Sequence, residues 1–407
     1  MSVNGVVVTG LGVMAPHGDD PAAMFAAILR GESALAPVFP ELAKPAAAAT
    51  IAFDESRWFT KLQLAGVDRV SQLAVAAADL AMRDAGAPAA IGDLDPERLG
   101  VFAGCGMGGA TALEAAYRAG GSGRVPPLTI PAFMPNAPAA HVAMRQHAQG
   151  PVLTYSVACA SSSVAIAEAA KAVRHGDVDL AIAGGSEALI VPGVVLAWQA
   201  MQTLASFNPG EAASAVRPFA KDRSGFALAE GAAFLILESE ARARARGARI
   251  YAALAGWGAS CDATHLTKPD VQGQARALRT ALNRAGLAPR DVGYCNAHGT
   301  ATRIGDVVER DALAEVWGAH LDDLRVSSTK ALHGHLLGAA GALEAVITVL
   351  ALHQGQLPPQ AHVGEVDPAC ALNLVPATGT DAPALEAAIS NSFAFGGTNS
   401  VLVFRRT

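Results

Sequence analysis

The sequence predicts an α/β protein in which helices cover central β-sheets. Short apolar runs typical of strands alternate with Ala-rich runs typical of helices along the chain. The chain has 407 residues, more than one hydrophobic core usually holds, so two domains or two fused halves are expected. Hydrophobic residues make up 51% of the sequence, which favours extensive burial and a large subunit interface.

The predicted elements follow one another in a regular order. Strands are predicted at 6–9, 99–103, 180–183, 233–237, 250–257 and 401–404. Helices are predicted at 21–30, 69–85, 161–175, 274–285, 307–317 and 341–354. This alternation favours layered α/β packing. The Arg- and Ala-rich segment 238–247 is interpreted as a solvated crossover, and the boundary between the halves is placed after residue 248.

The composition argues against several classes of protein. A formal net charge of -6 with well-mixed signs disfavours non-specific nucleic-acid binding. The five cysteines form no CxxC pair, which favours reduced cytoplasmic thiols over disulfides or a zinc site. The most apolar segments, 194–200 and 336–352, are judged too short, or too interrupted by Gln199 and Glu344, to cross a membrane. No basic region precedes the apolar N-terminal run, so no signal peptide is expected.

One cysteine stands apart from the others. Cys159 lies in Ser156-Val157-Ala158-Cys159-Ala160-Ser161-Ser162-Ser163, where a strand or turn leads into an Ala-rich helix. Free backbone N–H groups and the helix dipole at such a position favour a thiolate and can also hold an oxyanion. A small residue packed in a turn would show the same pattern, so the segment alone leaves both interpretations open.

Two histidine-containing segments lie in the second half of the chain. His298 follows a strand-like run and begins a stretch dense in Gly, hydroxyl and acidic residues, as functional loops often do. In the other segment, Lys330, His333 and His335 precede a helix of small residues. Imidazoles and an ammonium near a thioester can polarise its carbonyl and stabilise an enolate. Each segment alone is also compatible with an ordinary polar turn.

A fourth segment, Asn391-Ser392-Phe393-Ala394-Phe395-Gly396-Gly397-Thr398-Asn399, precedes the last predicted strand. Consecutive glycines allow positive φ and expose backbone N–H groups, so this turn can supply a second oxyanion donor. A Gly-Gly turn is also an ordinary loop.

Together the four segments resemble the motifs of elongating β-ketoacyl-(acyl carrier protein) synthases, which have a Cys-His-His centre. The resemblance extends from Val6-Val7-Val8-Thr9-Gly10-Leu11-Gly12 to the final strand. It implies a thiolase-like fold, a five-layer αβαβα arrangement of two pseudo-symmetric halves. Residues 1–248 would carry the nucleophilic cysteine and residues 249–407 the two catalytic histidines.

The resemblance also implies the chemistry. Cys159 would take an acyl group from the phosphopantetheine arm of a carrier protein. His298 and His335 would bind the thioester carbonyl of malonyl-carrier protein and stabilise the enolate left by loss of CO2. The N–H groups of Cys159 and Phe395 would form the oxyanion hole. Lys330 would orient His335.

Further roles follow from the same resemblance. For Lys330, Glu309 is the expected ion-pair partner, with Asp306 nearby. The resemblance implies that Thr300 and Thr302 contact the pantetheine arm. It implies a gating loop at Phe393, Phe395 and Gly396. It also implies a second mobile loop at His265 and an acyl-pocket residue at Met107. Ala394 stands where the family usually has Gly, which restricts the gate.

The implied partner is an acidic acyl carrier protein, with no bound cofactor. Lys61, Arg69 and Arg124 are the candidate docking residues. A homodimer is expected, and a heterodimer with a chain-length factor remains an alternative. A non-catalytic chain-length factor is disfavoured because Cys159 is present. A thiolase is disfavoured because its second cysteine is missing, and an initiating synthase because its Asn is replaced by a Gly-His pair.

Overall fold

The computed structural model describes residues 5–87, 94–120 and 123–407. The strands in this part of the chain are β1 (Val6–Met14), β2 (Ala36–Val38), β3 (Ala46–Ala49), β4 (Leu99–Gly104), β5 (Val152–Tyr155), β6 (Leu180–Glu187), β7 (Leu228–Ala229), β8 (Gly231–Ser239), β9 (Ala252–Cys261), β10 (Tyr294–Asn296), β11 (Arg325–Ser327), β12 (Gln356–Leu357), β13 (Thr380–Asp381), β14 (Ala387–Phe393) and β15 (Thr398–Arg405).

The helices in the same residues are α1 (Pro21–Leu29), α2 (Arg69–Asp84), α3 (Ala110–Ala119), α4 (Thr129–Phe133), α5 (Ala137–Gln146), α6 (Ser161–His175), α7 (Pro192–Ala200), α8 (Glu240–Ala245), α9 (Val271–Ala285), α10 (Gly305–Trp317), α11 (Lys330–His333) and α12 (Ala340–Gln354). Every strand and helix predicted from the sequence is present, with ends shifted by a few residues. In the main sheet the predictions missed β5, β11 and β14. They also missed α3, α4, α5, α7, α8 and α11 and the short strands β2, β3, β7, β12 and β13.

The main sheet consists of two halves with the same topology. Its order is β11-β10-β14-β15-β9-β1-β8-β6-β4-β5. The first half consists of β1, β4, β5, β6 and β8, and the second half consists of β9, β10, β11, β14 and β15. When each set is numbered 1 to 5 along the chain, both halves have the order 3-2-4-5-1 from the outer edge inward. In both, strands 2, 3 and 4 pair in parallel and strand 5 pairs antiparallel with its two neighbours. Antiparallel pairing of β1 with β9 joins the halves.

The hydrophobic core shows how the layers are stacked. Side chains alternate along each strand, and in β8 Leu235 packs inward with α6 and α12 while Phe234 packs outward against α2 and α5. On the other half-sheet, Leu402 of β15 faces the same central helices and Val403 faces α9 and α10. The order of layers is therefore helix, sheet, helix, sheet, helix, and the predicted five-layer fold is confirmed.

The same close contact between a helix and the first strand is found in both halves. A Cβ at Gly12 of β1 would lie 2.1 Å from the Ala77 carbonyl oxygen of α2. A Cβ at Gly258 of β9 would lie 2.0 Å from the Ala277 carbonyl oxygen of α9. In each half, glycine in the first strand therefore lets a covering helix, α2 or α9, approach the sheet directly.

Two expectations need correction. Glu238, placed in a solvated crossover, is the fully buried penultimate residue of β8; the Thr9 hydroxyl donates to it at 2.6 Å, and Arg246 pairs with it. The apolar segment around α12 is also longer than judged. Leu337–Gln354 is long and apolar enough to span a membrane by length and composition, and 89% of it is buried within the protein. Burial between the two half-sheets accounts for its apolar character.

Candidate active site

Cys159 lies in a tight turn between β5 and α6. Residues Ala158–Ala160 form a 3-10 turn, and Ala158 adopts a left-handed φ of 49°. The Ser161 hydroxyl fastens this turn, because it accepts from the Val157 N–H at 2.9 Å and donates to the Ala158 carbonyl at 2.6 Å. The Cys159 side chain is buried, with 7% exposure. Strain at residue 158 thus aims the thiol inward at the start of the helix.

His335 occupies the equivalent place in the second half, before α12. The Leu337 N–H donates to its Nδ1 at 3.2 Å, so Nδ1 is the unprotonated nitrogen and Nε2 carries the hydrogen. Nε2 is buried and has no partner among the residues that the structure describes. It is therefore a donor available to a bound substrate.

His298 completes the cluster from the end of β10. Neither of its ring nitrogens makes a hydrogen bond within the described residues, and Nδ1 is buried. Its ring lies edge-on to that of His335, with centroids 5.5 Å apart. The donor atoms of Cys159, His298 and His335 all lie within 4.8 Å of one another. A metal ion could also be held at these separations, a use that requires the thiol to lose its proton.

The ion pair of Lys330 differs from the one expected. Lys330 pairs with Glu344 of α12, and both side chains are fully buried. Glu309 instead accepts from the N–H groups of His298 at 2.9 Å and Gly299 at 2.7 Å, and from the Asn391 amide. It therefore holds the histidine loop through the backbone. The expectation was wrong because α12 places a carboxylate nearer the ammonium.

Asp306 has a different environment from the one expected. It accepts from the Phe219 N–H at 2.8 Å and lies 3.8 Å from the buried guanidinium of Arg223. Arg223 also donates to the carbonyl oxygens of Thr302 and Arg303. The pair therefore supports the loop after His298 and not Lys330.

The protonation states follow from burial. Burial raises the pKa of the Cys159 thiol to about 12; the Lys330 ammonium lowers it, while the Glu187 and Glu344 carboxylates raise it. Burial and the nearby Lys330 hold the pKa values of His298 and His335 well below the usual range. These shifts favour a thiol and two neutral imidazoles over the expected thiolate, because desolvation outweighs the favourable charges.

These groups line a cavity of about 690 Å³. Among the predicted site residues, the cavity is lined by Cys159, His298, His335, Thr300, Thr302, Glu309, Phe393 and Phe395. The buried side chains of Lys330 and Asp306 are not part of the cavity lining. Met107 is 46% exposed on the surface of the single chain, and His265 is exposed outside the lining.

Phe395 of the predicted gate stacks on Trp198. The rings of Phe395 and Trp198 lie 6.0 Å apart with an angle of 24° between their planes. The Gly396 N–H donates to the Leu266 carbonyl at 2.7 Å, and the Asp262 N–H donates to the Gly397 carbonyl at 2.9 Å. The two loops predicted to move are therefore joined. No carbonyl among the described residues accepts from the Phe395 N–H.

His333 and the predicted docking residues lie away from the thiol. Both ring nitrogens of His333 are bonded, to the Gly334 carbonyl at 2.7 Å and the Thr329 hydroxyl at 2.9 Å, so this ring is structural. Arg69 forms a two-pronged pair with Glu230. Lys61 and Arg124 are exposed but lie outside the cavity lining. The exposed basic residues of the lining are Lys268 and Arg303.

Sequence reasoning missed several groups at the site. Phe226 packs edge-on against His335 at 5.2 Å and against Trp198 at 5.4 Å. The carboxylates of Glu187 and Glu344 both act on Cys159. In the sequence, the one signal for a functional carboxylate is a Glu that interrupts an otherwise apolar helix, and this signal indicates only Glu344.

Fold and site together define a thiol-dependent acyltransferase with a thiolase-like architecture. The Beta-ketoacyl synthase, N-terminal domain model matches residues 4–243, and the Beta-ketoacyl synthase, C-terminal domain model matches residues 251–364. The chain belongs to the β-ketoacyl synthase family, whose members are acyltransferases.

Individual relatives span the whole chain. Nodulation protein E of Rhizobium sp. (strain N33) is 40% identical and covers 98% of this chain and 99% of its own length. The 3-oxoacyl-[acyl-carrier-protein] synthase 2 of Staphylococcus aureus (strain N315) is 37% identical, covering 98% of both.

Solved structures of ketosynthases share the fold of this chain. The ishigamide ketosynthase/chain length factor aligns with a TM-score of 0.91 at 33% identity over 100% of both chains. A type II PKS ketosynthase, bound to the hexaketide and in complex with its acyl-carrier protein, aligns with a TM-score of 0.91 at 31% identity over 100% of both chains.

Proposed function

We propose that this chain extends an acyl chain by decarboxylative Claisen condensation of acyl-Cys159 with malonyl-acyl carrier protein. The observation that carries the proposal is that the Cys159 sulfur and the imidazoles of His298 and His335 lie within 4.8 Å of one another on the wall of a 690 Å³ cavity. A cavity of this size suits the reacting end of a pantetheine thioester.

The first step is acyl transfer. Cys159 sulfur attacks the thioester carbonyl, a new C–S bond forms, and the bond to the pantetheine sulfur breaks. His298 is the imidazole free to take the thiol proton, because His335 Nδ1 is already an acceptor and Nε2 already carries hydrogen. The proton ends on the departing pantetheine thiol. The backbone N–H groups of Cys159 and Phe395 are proposed to stabilise the oxyanion.

The second step forms the carbon–carbon bond. The Nε2–H of His335 donates to the thioester carbonyl of the malonyl group and holds the enolate as CO2 leaves. The enolate carbon attacks the acyl carbonyl, and the C–C bond replaces the C–S bond to Cys159. Cys159 leaves as a thiolate and takes up one proton. The product is a 3-ketoacyl thioester on the carrier protein.

Other residues are proposed to guide the substrate. The Thr300 and Thr302 hydroxyls lie 3.0 Å apart in the lining and are proposed to contact the pantetheine arm. Phe393, Phe395 and Gly396 remain the proposed gate, with His265 on the loop joined to it. Met107 remains the proposed acyl-pocket residue.

The proposed partner is an acidic acyl carrier protein, and the enzyme is proposed to be cytoplasmic and to need no bound cofactor. The proposed functional units remain residues 1–248 and 249–407. The likeness to the ishigamide ketosynthase/chain length factor favours a second candidate, in which this chain is the catalytic subunit of such a heterodimer. Both candidates place the same chemistry at Cys159.

The proposal is tested by intact mass after incubation with a panel of acyl-acyl carrier proteins. Wild type should gain one acyl group, and Cys159→Ala should gain none. Wild type that stays unmodified alone but is acylated when a chain-length factor is added supports the heterodimer. Absence of an adduct under both conditions contradicts the proposed nucleophile.

A further inference from the structure

Glu187 is a buried carboxylate for which the proposed mechanism has no use. It ends β6 and is fully buried. Its Oε2 accepts from the backbone N–H of Gly106 at 2.8 Å and of Gly338 at 2.9 Å. Its Oε1 accepts from the Met107 N–H at 3.3 Å. The Cys105 thiol also donates to Oε1 at 3.9 Å. Within the described ranges Glu187 has no ion-pair partner, so its charge is compensated by these backbone N–H groups and the thiol.

The donors come from two segments that matter to the site. Gly106 and Met107 follow β4 in the loop that the family resemblance assigns to the acyl pocket. Gly338 lies in the turn Leu337–Ala339, whose first N–H fixes the tautomer of His335. A Cβ on either glycine would lie 2.5 Å from Glu187 Oε2. The carboxylate therefore occupies a site that only glycine leaves open.

The charge of Glu187 also affects the pKa of the Cys159 thiol. The Glu187 carboxylate raises the pKa of Cys159 and also that of the neighbouring buried thiol, Cys105. At Cys159 it acts in the same direction as Glu344 and against Lys330. Burial raises the pKa of Glu187 itself to about 7, so the negative charge is present above neutral pH.

We propose that Glu187 is a positioning residue that fastens the Met107 loop to the His335 turn. This inference rests on the proposed function, since it takes Cys159 and His335 as the reacting pair.

Two variants separate the charge from the hydrogen bonds to Gly106 and Gly338. Glu187→Gln removes the charge and keeps one carbonyl oxygen for these two N–H groups, while its NH2 group replaces the oxygen that accepts from the Met107 N–H. Gly338→Ala keeps the charge but displaces the turn. The rate of alkylation of Cys159 by iodoacetamide is measured between pH 7 and 10 by peptide mapping, with Cys159→Ala as the blank.

Glu187→Gln should be alkylated faster at pH 8. Each unit by which the thiol pKa falls gives tenfold more thiolate of lower nucleophilicity, a net gain of about threefold. Gly338→Ala should keep the wild-type alkylation profile while kcat falls about tenfold or more. A merely structural role for the carboxylate would not move the profile in Glu187→Gln.

Glu230→Gln is the matched control, because Glu230 is another buried carboxylate of the first half and bonds to Arg69 and the Ile51 N–H instead of the His335 turn. It should alkylate like wild type. Equal profiles for folded Glu187→Gln and wild type would overturn the assigned charge effect, and an unchanged kcat in Gly338→Ala would overturn the positioning role. Failure of the proposed function would show separately, as wild type that accepts no acyl group.

Discussion

Replacing Lys330 by Met is the perturbation whose cost the structure sets most clearly. Lys330 and Glu344 are both fully buried and pair with each other. Removal of one partner from a buried ion pair typically costs about 3–5 kcal/mol, because the other charge stays uncompensated. Glu344 has a pKa already raised to about 7 by burial, so it can escape part of this cost by protonation at low pH. The loss should therefore be larger at pH 8 than at pH 6.

The free energy of unfolding is measured by urea titration at both pH values, followed by the fluorescence of the four tryptophans. The double variant Lys330→Met/Glu344→Leu should recover most of the loss, because no buried charge remains. Lys221→Met is the matched control. Its pair with Glu365 is exposed, so it should cost less than about 1 kcal/mol. A single variant no less stable than this control, or a double variant no better than the single, would refute the reasoning.

Three further outcomes are expected. Trp198→Ala removes the ring that stacks on Phe395 of the proposed gate, a contact worth about 0.5–1.5 kcal/mol. The rate of acyl loading, measured by stopped flow, should therefore change by about two- to tenfold. An unchanged rate would mean that the stack does not control entry of the acyl substrate. Arg223→Met leaves the Asp306 carboxylate buried without its cation, and calorimetry should show a clear drop in Tm where Lys221→Met shows almost none. Burial raises the folded-state pKa of Glu187 from 4.5 to about 7, so its contribution to stability is full below pH 4.5 and is lost as pH rises to about 7, a change of at most about 3 kcal/mol. Glu187→Gln should flatten that fall in urea titrations, and an unchanged slope would contradict the assignment.

Local patterns in the sequence were enough to predict much of the fold. The alternating strand and helix signals located α6 and α12, and the boundaries predicted for α6 match those observed. The short helix α7 could not be found in this way, because its apolar residues lack a clear helical period. β14 was hidden because its last residues, Asn391–Phe393, belong to a motif interpreted as a loop. In both cases tertiary contacts decide the local structure.

The site was predictable where the motif itself carries the reacting groups, as at Cys159 and His335. It was not predictable where burial sets the chemistry. A sequence does not show that Glu187 and Glu344 are fully buried, and charged residues are usually exposed. The helix start that favours a thiolate at Cys159 was visible in the sequence, but the desolvation that raises the pKa of the thiol was not.

Product formation is the measurement that tests the account most directly. Purified protein is mixed with acyl-acyl carrier protein and malonyl-acyl carrier protein, with and without an added chain-length factor, and the carrier-bound products are analysed by mass spectrometry. The account predicts one 3-ketoacyl product and one CO2 per acyl group consumed, and neither from Cys159→Ala. Wild type that gives no condensation product under either condition, or a Cys159→Ala variant that still forms one, would contradict the central claim.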